Sequence, residues 1–178
     1  AFDPAADADA DAMPNGVEIA EGRNPLAKDN DVFGNARLFA MQQYRDFLSR
    51  EGDTGGIAYW IAQLAGPQTR AQAIQGFFTS PEFQGVIAPV ARLYFANFLR
   101  YPDYDGLQFH VARSRTGTAL DVIANDFATS PEFISRYGAL TNDAFIELVY
   151  QNVLGRPSDP GGKAFWLSQM AGGFTRGQ

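Results

Sequence analysis

From about Asn35 onward, aromatic and aliphatic residues recur at helical spacing, while the first 34 residues are rich in Asp, Ala, Asn, Gly and Pro with little apolar periodicity. Phe39, Tyr44, Phe47 and Leu48 lie three to five residues apart, which puts most of them on one side of a helix that breaks at Gly52. Asp53 then reads as the N-cap of a second helix through Tyr59, Trp60 and Leu64, ended by Gly66 and Pro67. A third helix is predicted from about Thr69 to Phe78, stopping before Pro81. Few runs alternate with period two, so the fold class is all-α.

The pattern repeats. Gln75-Gly-Phe-Phe-Thr-Ser-Pro-Glu-Phe83 returns as Asn125-Asp-Phe-Ala-Thr-Ser-Pro-Glu-Phe133, a step of 50 residues. Tyr44 to Leu48 is aligned with Phe95 to Leu99 and with Tyr150 to Leu154, and Asp53-Thr-Gly-Gly56 with Asp103-Tyr-Asp-Gly106 and Asp159-Pro-Gly-Gly162. Trp60, His110 and Trp166 each follow four residues after the last Gly. The organisation expected is an acidic segment over 1–34, helical repeats over 35–89 and 90–142, and a truncated third repeat over 143–178. Thr175 to Gln178 matches Thr69 to Gln72, where a third helix opens in copy one, so the chain is read as part of a longer protein.

Residues 7–18 carry oxygen-bearing side chains on the spacing that wraps one calcium ion. Asp7, Asp9, Asp11, Asn15 and Glu18 occupy positions 1, 3, 5, 9 and 12 of a twelve-residue loop, and Met13 at position 7 supplies a backbone carbonyl. A solvated Asp-Ala linker would show the alternation but not the register of Asn15 and Glu18. Calcium is therefore the expected cofactor.

Composition narrows the remaining classes. With 20 acidic against 14 basic residues and a net charge of -6, no block of Lys and Arg exists to neutralise phosphates, and nucleic acid is not expected as a partner. Absence of cysteine excludes disulfides, thiolate zinc sites and cysteine nucleophiles. No apolar run approaches the roughly 20 residues of a membrane span, no charged-then-apolar leader is read at the start, and Ala1 is expected to be a mature or trimmed end.

The Leu-x-Arg-x-x-x-Asp-x-x-Gly-x-x-x-Trp pattern (Leu48 to Trp60, Leu154 to Trp166), together with Ser-Pro-Glu-Phe, resembles the bacterial domain of unknown function 4214 across about residues 35–178. That resemblance implies secreted or surface proteins, often with calcium-binding repeats alongside, and a distant similarity to phycobilisome linker domains. Copy two departs from the pattern with His110 in place of Trp and one residue fewer in its turn. The acidic stretch from Asp7 to Glu18, followed by Glu21-Gly-Arg-Asn-Pro25 and Asp29-Asn-Asp31, resembles a bacterial thrombospondin type 3 repeat, although Ala12 stands where Gly is usual and Asn15 where Asp is commoner. Both changes weaken ion binding, because Ala resists a sharp turn and Asn carries no charge. Asp29 and Asp31 look like the opening of a following repeat.

No catalytic residues are expected. Glu82 and Glu132 recur as paired carboxylates might, but Ser as N-cap, Pro at the first helical position and Glu in the first turn account for Ser-Pro-Glu-Phe without chemistry. Asp53, Asp103 and Asp159 are explained as caps steadied by Arg50 or Arg156, and the single histidine, His110, as a packing residue. Trp60, Trp166, Tyr59 and Phe165 suit a core better than a carbohydrate platform. The expectation is a non-enzymatic, calcium-binding structural or interaction module of an extracellular or cell-surface bacterial protein, with a protein partner or larger assembly. The alternatives are a linker-like assembly subunit, or an accessory region of a secreted hydrolase whose catalytic domain lies elsewhere.

Overall fold

The computed structural model describes residues 3–10, 13–28 and 31–178, which form ten α-helices and one π-helical turn and no strand. The all-α expectation holds. The chain separates into two compact units, Ala1–Ser80 and Pro81–Gln178.

In the first unit, α1 (Asn15–Glu21) lies inside the acidic segment, where the apolar pattern predicts no helix. Gly22 ends it in the left-handed conformation, and the Arg23 amide donates to the Glu18 carbonyl. The first copy follows as α2 (Ala36–Leu48), α3 (Thr54–Ala65) and α4 (Arg70–Phe78). Asn35 caps α2, Asp53 caps α3, and Thr69 caps α4 through a reciprocal box with Gln72. Leu38, Phe39, Ala40, Tyr44 and Leu48 of α2 close on Ile57, Ala73 and Phe77, which builds the core of this unit.

In the second unit, the helix opened by Pro81 widens into a π-helical turn, Phe83–Ile87, and continues without a break as α5 (Ala88–Phe98). Pro89 has no N–H to close on the Gly85 carbonyl, and residues 83–87 take the wider pattern, with the Ala88 amide donating to the Phe83 carbonyl. Copy two continues as α6 (Tyr104–Arg115) and α7 (Leu120–Thr129), then adds a fourth helix, α8 (Pro131–Tyr137), capped by the Ser130 hydroxyl. Copy three contributes α9 (Asn142–Leu154) and α10 (Pro160–Ala171). The core of this unit runs through Val90, Tyr94, Phe98, Val111, Ile123, Phe127, Phe133 and Phe145.

Burial corrects the alignment of copy two. Tyr94 is 3% exposed and Phe95 40%, so Tyr94 is the counterpart of Tyr44 and Tyr150. In this register Arg follows the tyrosine by six residues, Asp by nine and Gly by twelve in every copy, and copy two lacks no residue in its turn. The helix carrying the tyrosine also ends alike each time, on a left-handed residue: Ser49 at φ 51°, Leu99 at φ 50° and Gly155 at φ 63°.

Gly155 faces open space, so Gly155→Ala tests the backbone alone. The left-handed penalty of about 1–2 kcal/mol exceeds the roughly 0.5–1 kcal/mol gained by stiffening the unfolded chain. A net loss of about 1 kcal/mol is expected, read as a lower urea midpoint with unchanged slope.

Candidate functional site

A cluster of four residue types recurs at the turn between the first two helices of each copy, and it begins with the tyrosine. Tyr44 meets Phe77 edge to face at 4.9 Å, and Tyr94 meets Phe127 in the same way at 4.7 Å. Each tyrosine hydroxyl lies against the glycine of the second helix's first turn, such that a Cβ on Gly56, Gly106 or Gly162 would collide with it. The guanidinium of the following arginine covers the ring, with Arg50 4.9 Å from the Tyr44 centroid, Arg100 5.1 Å from Tyr94 and Arg156 5.3 Å from Tyr150. Asp53, Asp103 and Asp159 accept from the amides of Gly56, Gly106 and Gly162 at 2.8–2.9 Å. Arg100 and Arg156 also reach their aspartates, at 3.3 and 3.5 Å.

These bonds hold all three aspartates below the ordinary carboxylate range, chiefly through the glycine amide. Such a cluster fixes the angle between two helices and keeps its charges satisfied.

Copy two adds a cleft. His110 stands 4.6 Å from Phe127, where Trp60 stacks on Phe77 at 4.7 Å in copy one. The smaller ring leaves a hollow rimmed by Arg100, Asp103, Asp126 and Glu132. Partial burial lowers the His110 pKa, favouring the neutral ring. Arg100 grips Glu132 through two bonds, at 2.8 and 2.9 Å, which lowers the pKa of that carboxylate, and Arg113 meets Asp126 at 2.6 Å. Glu82 likewise meets Arg115 at 2.9 Å. Both Ser-Pro-Glu-Phe glutamates thus stand in ion pairs, Glu82 with the end of α6 and Glu132 with the turn between α5 and α6. The turn spacing of tyrosine, arginine and aspartate was available in the sequence as a signal for the cluster, whereas the pairing of Arg100 with Glu132, 32 residues apart, had none.

Of the calcium-loop residues, Asp11 and also Ala12 lie outside the described residues, as does Asp29. Glu18 is 0% exposed and one oxygen of Asp9 is shielded from solvent, while Asp7 is exposed and Met13 half-buried. Arg23 Nη2 is 3.9 Å from Glu18 Oε1. Asn15, 1% exposed, staples the loop: its Oδ1 accepts from the Ala8 amide at 3.0 Å and its Nδ2 donates to the Asp3 carbonyl at 2.8 Å. The backbone adds Asn15 N to the Ala6 carbonyl and Gly16 N to the Pro4 carbonyl. Asp31 accepts from the amides of Phe33 and Gly34 and shapes the turn into α2. Among the described residues, no group of three or more His, Asp or Glu side chains is placed to hold a metal ion. Arg23 already shares the charge of Glu18, and the carboxylate oxygens of Asp9 and Glu18 on one closed loop are of the donor type that calcium takes.

Gly106→Ala gains up to about 1 kcal/mol in helix propensity but overpacks Tyr94 by about 1–3 kcal/mol, and a net loss of about 1 kcal/mol in chemical denaturation is expected. The depressed aspartates stabilise the fold above their unfolded pKa of about 3.9, and that contribution is lost as pH falls through their lower folded values. The triple variant Asp53→Asn, Asp103→Asn, Asp159→Asn keeps the caps and removes the titration. Its melting temperature is expected to fall less steeply than the parent's between about pH 4 and pH 2.

Among the described residues no helix is long and apolar enough to cross a membrane. No curated protein and no solved structure matches the chain. The domain of unknown function DUF4214 matches residues 33–87 and again residues 124–178, together more than half of the chain. The three-fold recurrence of tyrosine, arginine, aspartate and glycine thus belongs to a helical-repeat protein of the DUF4214 family.

Proposed function

We propose that this chain is a non-enzymatic structural and interaction module of a secreted or cell-surface bacterial protein, in which a thrombospondin type 3-like calcium-binding segment leads into tandem helical repeats. The observation that carries the reading is Glu18. It ends a twelve-residue run of oxygen donors in calcium register, and its carboxylate is wholly buried. Taking a carboxylate out of water costs several kcal/mol, and a divalent cation at the loop, together with Arg23, offsets that cost. Asp7, Asp9, Asp11, Asn15 and Glu18 with the Met13 carbonyl would hold the ion, which supplies charge neutralisation and cross-linking of the loop.

Within this reading Asn15 serves twice, as staple and as ligand. Its two side-chain bonds pre-close residues 3–8 over the start of α1, which lowers the ordering cost of binding. Arg45 stands 3.9 Å from Glu21 and links the segment to α2, so order in the loop is passed on to the first repeat. The helical repeats carry no catalytic role. Asp53, Asp103 and Asp159 cap helices, Glu82 and Glu132 are ion-paired, and the exposed Tyr59, Phe109 and Phe165, at one position in three copies, offer contact surface to a protein partner.

Calcium titrated into the full chain by calorimetry is expected to bind with a Kd of about 10⁻⁴ to 10⁻³ M, the range of extracellular modules. Glu18→Gln is expected to weaken binding by about tenfold or more. Chelator is expected to speed proteolytic cleavage within residues 3–34 and leave cleavage of the repeats unchanged. Absence of binding heat at millimolar calcium, or equal cleavage with and without chelator, overturns the reading.

A further inference from the structure

Copy two exchanges three residues of one contact, and all three become ionisable. Trp60, Gln63 and Gly76 of copy one stand 50 residues before His110, Arg113 and Asp126, and copy three keeps the first two as Trp166 and Gln169. In copy one the indole of Trp60 lies so close over Gly76 that a Cβ there would come within 2.7 Å of the ring. In copy two the ring shrinks and the facing residue grows. His110 sits on α6 and Asp126 on α7, so a side chain is admitted at 126 because the ring at 110 is small. Arg113, one turn further along α6, meets the new carboxylate at 2.6 Å.

The exchange leaves the imidazole without a polar partner. Its Nδ1 is shielded from solvent and makes no hydrogen bond, while its ring lies 4.6 Å from Phe127 and 6.2 Å from Tyr94. Five charged groups surround the ring, and each is engaged elsewhere. Asp103, the cap of α6, accepts from the Gly106 amide; Arg100 of the α5–α6 turn and Glu132 of α8 hold each other; Arg113 of α6 and Asp126 of α7 do the same. The Tyr94 hydroxyl of α5 is kept neutral by burial, which raises its pKa, and the π-helical turn, also packed on α6, carries no charged residue. Burial first, and then the charge of Arg113, hold the His110 ring neutral below its ordinary range, against the pull of Asp126 and Asp103.

We propose that His110, Arg113 and Asp126 make the α6–α7 contact of copy two an acid-responsive joint. Neutral, the imidazole is a packing face for Phe127. Charged, it competes with Arg113 for the carboxylate beside both, and the contact loosens. The unfolded ring takes its proton near about pH 6.5, and the folded ring only at lower pH. Between those points the unfolded state holds more protons, so the joint's contribution is full above the unfolded value and is lost as pH falls towards the folded one. Copy one, with tryptophan, glutamine and glycine at these places, has no such response. This inference does not depend on calcium.

The test uses the full 178-residue protein. His110 is the single histidine, so its ring resonances titrate alone, and a midpoint below about 6.5 is expected. Unfolding in urea is followed at the indole N–H of Trp60 and of Trp166, one in each unit. Between about pH 7 and about pH 5.5, the midpoint at Trp166 is expected to fall by more than the midpoint at Trp60. His110→Gln, which does not titrate, is expected to remove that excess. His110→Trp alone drives an indole against Asp126 and is expected to lower the Trp166 midpoint at neutral pH. Adding Arg113→Gln and Asp126→Gly, the copy-one set, is expected to regain most of that loss without restoring the pH dependence. A His110 midpoint at or above about 6.5, an equal fall at both indoles, or an excess that survives His110→Gln overturns the proposal. So does a triple variant no more stable than His110→Trp.

Discussion

The fold depends on one contact, that of a buried tyrosine hydroxyl against a glycine on the neighbouring helix. A ring brought that close to a backbone leaves no room for a β-carbon, so Gly56, Gly106 and Gly162 are required by space and not by turn geometry. The close approach puts the first turn of the second helix beside the end of the first. The aspartate then caps that turn, and the arginine lies over the exposed face of the ring. Each group has little latitude once the tyrosine is placed, which is why four residue types recur at fixed spacing while most positions between them vary.

Around that fixed cluster the copies diverge where packing permits. A histidine in place of tryptophan keeps an aromatic face for Phe127 and opens a polar hollow beside it. The junctions differ more. Ser80 precedes Tyr94 by 14 residues, and Ser130 precedes Tyr150 by 20, since copy two ends in a separate helix closed by Gly138 at φ 75°.

Much of the architecture was legible in the chain. Caps at Asp53, Thr69 and Ser130 and the break before Pro81 depend on a few adjacent residues, so local rules place them within a residue or two. The tyrosine register of copy two was not legible, because Tyr94 and Phe95 are adjacent aromatics and only burial tells them apart. Helix α1 was hidden too. It is seven residues long, it lacks an apolar stripe, and it is held by Asn15 reaching back twelve residues to Asp3. For the acidic loop, the hydrogen bonds from Asn15 to residues 3 and 8 had no signal in the sequence.

The π-helical turn at Phe83–Ile87 has a bearing on heredity as well as on shape. One such turn holds one residue more than the α-helical turn it replaces, and each residue of an α-helix advances the side chains by about 100°. A one-codon deletion between residues 83 and 87 would remove the extra residue, let the turn close as α-helix and leave the side chains on either side of it in phase. Downstream of Leu99 a loop absorbs length changes. Along this uninterrupted helix the wider turn is the place where the gain or loss of one codon is taken up.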